Sequence, residues 1–269
     1  MKKLATALVS AAAIMTMSTT AFAAENPAEV FDRVMEKNNT IQSAEIQSGG
    51  HSVILAKDVI PDGQMKVDMA MHAEMDMQDT TDLKYLAQVA SSILGQDSYS
   101  QVFYTDGYYY VDANGVKLKY PMPLEQIISS VQTGVNTSNM ESSYMKGISL
   151  NEVNGKRVLA YEANPKKLNK NVKEALGTVM NTLGTDVNLD MNIQEMKGAY
   201  VLDDNDYIIY MTNYIVYNME VLDQPMTCIT LMETEVQNPG EPVVVTLPST
   251  DGYEDLIGLY DGVIESEVE

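Results

Sequence analysis

Five methionines fall within the thirteen residues Met65–Met77, MKVDMAMHAEMDM, and all of them occupy odd positions. Thioethers are soft ligands that favour reduced copper, so Met-x-Met spacing makes copper binding the first chemistry to weigh. A copper site needs several ligands converging on one point, and alternate residues of a strand stand roughly 6.6 Å apart. Met69 and Met71 would share an ion only with help from a neighbouring strand, and His72 points to the opposite face. The other reading is an apolar face, packed as core or left to accept varied apolar partners, a use to which flexible methionine is well suited.

The remaining reactive residue types offer less. Cys228 lies in the apolar run MTCITLM and reads as a small buried hydrophobe rather than a nucleophile. The only histidines are His51 and His72, and the chain has no Gly-x-Ser-x-Gly, no His-Glu-x-x-His and no phosphate-cradling glycine loop. Asp203-Asp204-Asn205-Asp206 has the donors for calcium, but as a four-residue tip between two strands it reads as a turn. No reaction class emerges, so the expectation is a non-catalytic protein with no cofactor and no metal.

The elements that must position these residues follow from periodicity. The odd set Met65, Val67, Met69, Met71, Ala73, Met75 and Met77 would scatter around a helix but shares one face of a strand, with the charges on the other. Two long strands, Ala44–Lys57 and Gly63–Gln78, are expected on either side of a Pro61-Asp62-Gly63 turn, after a first helix over Pro27–Asn38 capped by Asn26 and Glu29. Leu83, Leu86, Val89, Ala90, Ile93 and Leu94 are spaced for a helix that stops at Gly95. Asp106-Gly107, Asn114-Gly115 and Asn154-Gly155 predict hairpin turns. A short helix is expected over Leu124–Val131, and an amphipathic one over residues 166–184. Strands Val187–Leu202, with Val187, Leu189, Met191 and Ile193 on one face, Tyr207–Leu222, Met226–Gln237 and VVVTLP complete the chain.

Residues 1–23 carry Lys2 and Lys3, an apolar run and small residues at Ala21 and Ala23, the pattern of a secretory signal peptide cut after Ala23. The run is too short for a transmembrane anchor. Removing it leaves 15 basic against 38 acidic residues, a balance that repels nucleic acid and anionic membrane. The expected location is extracytoplasmic, secreted or in the cell envelope. With no disulfide available, the exported fold must rest on its hydrophobic core. Residues 24–248 read as one domain and residues 249–269 as an acidic, weakly ordered tail.

A helix ahead of two long strands, then FYTDGYYYVDANGVKLKY, GISLNEVNGKRVLAYEANP, a helix, long strands and VVVTLP, resembles the bacterial lipoprotein-carrier (LolA-like) superfamily, closest to its uncharacterised secreted or lipid-anchored members. The resemblance implies an α+β, mainly β fold: an unclosed, strongly curved antiparallel half-barrel whose concave face is apolar and covered by helices. It also implies carriage or sensing of lipids or lipoproteins. The chain departs from that pattern in having no cysteine for a lipid anchor and no position matching the carrier's lid-latching arginine, since Arg33 and Arg157 are the only arginines after the leader. The expected ligand is a lipid or acyl chain, lining Met65, Val67, Met69, Met71, Met75, Met77, Val187, Leu189, Met191 and Ile193. The alternative is an envelope sensor or interaction domain with a self-filled core and an envelope protein as partner, and the third reading is copper.

Overall fold

The computed structural model describes residues 25–56, 60, 62–79, 83–124, 126, 140–170, 191–221 and 224–256. The expected leader, the helix at 166–184 beyond residue 170 and nearly all of Leu124–Val131 lie outside them.

Among the described residues α1 (Pro27–Asn38) precedes twelve strands: β1 (Ser43–Leu55), β2 (Gln64–Asp76), β3 (Lys84–Ile93), β4 (Gln96–Thr105), β5 (Tyr108–Ala113), β6 (Val116–Pro121), β7 (Met145–Val153), β8 (Lys156–Ala163), β9 (Asn192–Leu202), β10 (Ile208–Val221), β11 (Gln224–Gln237) and β12 (Glu254–Asp255). In hydrogen-bonding order they run β12-β6-β5-β4-β3-β2-β1-β11-β10-β9-β8-β7, so the sheet is unclosed among the described residues. The class is the expected one, α+β and mainly β.

α1 begins as its sequence dictates. Asn26 Oδ1 accepts from the Ala28 N–H at 3.1 Å, Pro27 supplies the preset first φ, and Glu29 sits in the positive first turn. Its buried stripe is Val30, Phe31, Val34 and Met35.

Two expectations are corrected. Lys84–Ile93 is a strand, although the apolar residues from Leu83 to Leu94 are spaced for a helix. The same run also alternates, and β4 decides between the two periods by placing Phe103 opposite Leu86 and Tyr104 opposite Tyr85. Gly95 does not stop a helix; with Leu94 it forms a hairpin turn, both at positive φ (53° and 77°), like the three Asx-Gly turns expected from the sequence. VVVTLP is not a strand. It alternates, with Val244 exposed and Val245 buried, but Pro242 and Pro248 lack the N–H groups a ladder needs.

Contacts divide the chain into two compact units. The first holds α1, Gly49–Asp68 and Ser138–Glu235. Its core is the buried face of α1 against Leu159, Tyr161, Tyr200, Leu202 and Ile208. The second holds Asn39–Ser48, Met69–Thr137 and the chain from Val236 onward. There Leu86, Phe103 and Tyr110 bury Val245 and Tyr253, so the stretch read as an acidic tail begins inside this unit. Phe103 and Tyr110 stack at 4.6 Å, and Tyr253 stands edge-on to both.

Candidate ligand-binding face

The register of β9, β10 and β11 builds the candidate site in the first unit. Met211, Asn213, Ile215, Tyr217 and Met219 of β10 lie opposite Thr234, Met232, Thr230, Cys228 and Met226 of β11. On the other side, Met211, Asn213 and Ile215 oppose Tyr200, Gly198 and Met196 of β9. Side chains directly opposed across an antiparallel pair share a face. This face therefore carries Met196, Met211, Met219, Met226 and Met232, and no charged residue, while Glu195, Lys197, Glu233 and Glu235 lie on the other.

Burial grades across it. Next to α1 the face is closed, and Met196, Met211, Ile215 and Tyr217 pack at the margin of the helix-covered core. Met219, Met226 and Met232 are half-buried. Cys228 is 2% exposed, with its Sγ 3.8 Å from Met219 Sδ, and burial pushes the Tyr217 phenol up, with the facing Cys228 adding to it. Gly50 of β1 lets this surface close, because a Cβ there would fall against the Leu231 carbonyl and within 2.6 Å of Met232 Sδ. Gly198 does the same between Asn213 and Tyr161, whose hydroxyl donates to Asn213 Oδ1 at 2.5 Å.

The expected lining residues divide. On β2, Met65, Val67, Met69 and Met71 are half-buried, but Met75 and Met77 are 1% and 4% exposed and behave as core. Met191 is half-buried. Ile193 joins the helix-covered core because Asn169 of the helical turn at 165–170 clasps its backbone, accepting from Ile193 N–H at 2.6 Å and donating to its carbonyl at 2.8 Å. Val187 and Leu189 lie outside the described residues. His72 faces away from the methionines, its Nε2 3.3 Å from Glu45 Oε1 and 3.7 Å from Glu74 Oε1.

The acidic tip is a turn. Asp203 Oδ1 accepts from Asn205 and Tyr207 N–H groups, at 2.9 and 2.8 Å. Asp206 Oδ2 accepts from Arg33 Nε at 2.8 Å, and its Oδ1 is 2.7 Å from Arg157 Nη1. Burial raises the Asp206 pKa, but the two guanidiniums outweigh it and hold the carboxyl below the ordinary value. Neither this convergence nor the β9–β11 face was foreseen. The second carried no clear signal in the sequence, because Tyr214, Val216, Ile229 and Leu231 make the opposite face apolar at its middle too.

The described sheet is open and mainly β, and one face of β9–β11 carries thioethers and no charge. The chain belongs to DUF6612, a family of unknown function, whose pattern matches residues 26–248. No curated protein matches it. Among solved structures it is similar to LprF from Mycobacterium bovis, at 10% identity over 83% of this chain and 97% of that one, with a TM-score of 0.38. A β-barrel-like protein of domain of unknown function DUF1849 from Brucella abortus is similar at 11% identity over 74% of this chain and 100% of that one, with a TM-score of 0.24. Among the described residues no helix is long and apolar enough to cross a membrane.

Proposed function

We propose that this is an exported, non-catalytic protein that binds a lipid or acyl chain along the methionine face of β9–β11. The observation that carries the reading is the half-burial of Met219, Met226 and Met232 on a face without charge, in a chain of net charge −21. A filled core would bury such side chains as it buries Met75. Thioether side chains re-pack around partners of different shape, which suits varied acyl chains. The leader-like N-terminus and the resemblance to the lipoprotein-carrier superfamily support the same reading.

Native mass spectrometry after gentle purification tests it by revealing co-purified lipid. In parallel, Met226→Glu should stay folded by circular dichroism but take up a fluorescent acyl-chain probe at least about tenfold more weakly, because the chain would have to desolvate a carboxylate. Asn218→Glu, on the opposite face, should leave uptake unchanged. Wild-type protein that carries no lipid and takes up no probe would return the fold to the sensor alternative.

A further inference from the structure

In the second unit, tyrosines form a row straight across four strands. Tyr85 of β3 pairs with Tyr104 of β4, Tyr104 with Tyr109 of β5, and Tyr109 with Tyr120 of β6. With strands about 4.8 Å apart the row spans roughly 14 Å. The next row on the same face is Ala87, Val102, Val111 and Leu118, and the one after it Val89, Ser100, Ala113 and Val116. No charged residue of β3–β6 stands on this face, Asp97, Asp112, Lys117 and Lys119 lying on the opposite one, and Glu254 of β12, paired with Leu118, ends the aliphatic row with an exposed carboxylate.

The row is built to meet polar oxygen. Tyr104 is buried and its hydroxyl donates to the Met122 carbonyl at 3.3 Å. Tyr85, Tyr109 and Tyr120 are half-buried, and among the described residues none hydrogen-bonds their hydroxyls. Each of these three phenols is pushed up by burial, and that of Tyr109 further by Tyr85 and Tyr120 beside it, so all three stay protonated and able to donate and accept. Tyr109 and Tyr120 pack ring to ring at 5.5 Å, leaving no slot between their faces for an ammonium group. No cation stands on the face to pair a carboxylate or phosphate, and the chain's field repels anions.

We propose that the Tyr85–Tyr104–Tyr109–Tyr120 row is a head-group site for an uncharged amphiphile, with ester or hydroxyl oxygens on the phenols and the acyl chain along the aliphatic rows. The inference rests on the acyl-binding reading of this protein but adds a second acyl face, on β3–β6 of the second unit, and the charge of the head group it selects. Three probes of matched chain test it by isothermal titration of the mature chain below their micellar concentrations: glycerol monolaurate, laurate and dodecyltrimethylammonium. Glycerol monolaurate should bind at least about tenfold tighter than either ion. Tyr109→Phe, which keeps the ring, should narrow that preference, Tyr120→Leu should weaken glycerol monolaurate about tenfold, and Tyr99→Leu, on the opposite face, should change neither. Equal binding of all three probes, or tighter binding of either ion, overturns the head-group assignment while leaving acyl binding in place. Failure of all three to bind overturns both. A folded Tyr109→Phe and Tyr120→Leu pair with unaltered preference overturns the placement at this row.

Discussion

Arg33 of α1 donates to Asp206 at 2.8 Å across 173 residues of sequence, and Arg157 of β8 closes on the same carboxylate. The only two arginines of the sequence thus converge on the β9–β10 turn. Asn38 reinforces the join by donating to the Asp206 carbonyl at 3.0 Å and accepting from Ile208 N–H at 3.0 Å.

Because the Asp206 carboxyl is held below its ordinary pKa of 3.8, it contributes stability that is complete above that value and lost as pH falls through the lower, folded-state one. Asp206→Asn should therefore lower stability at neutral pH by about 1–2 kcal/mol, discounted for the half-exposed Arg33, and flatten the acid limb of the stability curve. Urea denaturation from neutral to strongly acidic pH checks both effects; an unchanged acid limb would remove the ion cluster from the stability account.

Gly198→Ala should destabilise by about 2–4 kcal/mol, since its Cβ would lie 2.7 Å from Asn213 Oδ1 and 2.8 Å from the Tyr161 hydroxyl, in a region where backbone must also give way. The melting temperature measures the loss. A melt like that of the wild type would mean that β9 and β10 do not approach as closely as described.

On β2, Met71→Glu and Met75→Glu should part company. Met71 is half-buried, so a carboxylate there keeps some water and the protein stays folded with a modest loss. Met75 is 1% exposed, and the same change should cost at least about 3 kcal/mol or unfold the chain. Equal melts for the two variants would show that the stripe is uniform along its length.

Cys228, 2% exposed and in contact with Met219, should resist thiol reagents in native buffer and react at once in denaturant. Fast modification of the native protein would place it at an accessible surface.

N-terminal sequencing of the exported protein should begin at Ala24, from the Ala21-Phe22-Ala23 pattern. An intact leader would remove the export step from the proposed function.

Wherever a single segment carries its own geometry, sequence was enough. Asn26-Pro27 with Glu29 began α1, the alternation of Met65–Met77 made β2 a strand and set His72 against its methionines, and the Asx-Gly pairs located three hairpins. Residues 84–93, spaced for a helix, form a strand instead, because a short apolar run satisfies both periods until a partner strand is present to pair with it. Only tertiary structure decided that Met75 is core while Met71 is half-buried, since burial depends on what another part of the chain lays over a face. Cross-strand register likewise decided the rest: strands far apart in sequence share a face only once they pair, so the charge-free surface of β9–β11, the tyrosine row and the meeting of Arg33, Arg157 and Asp206 exist only in the folded sheet.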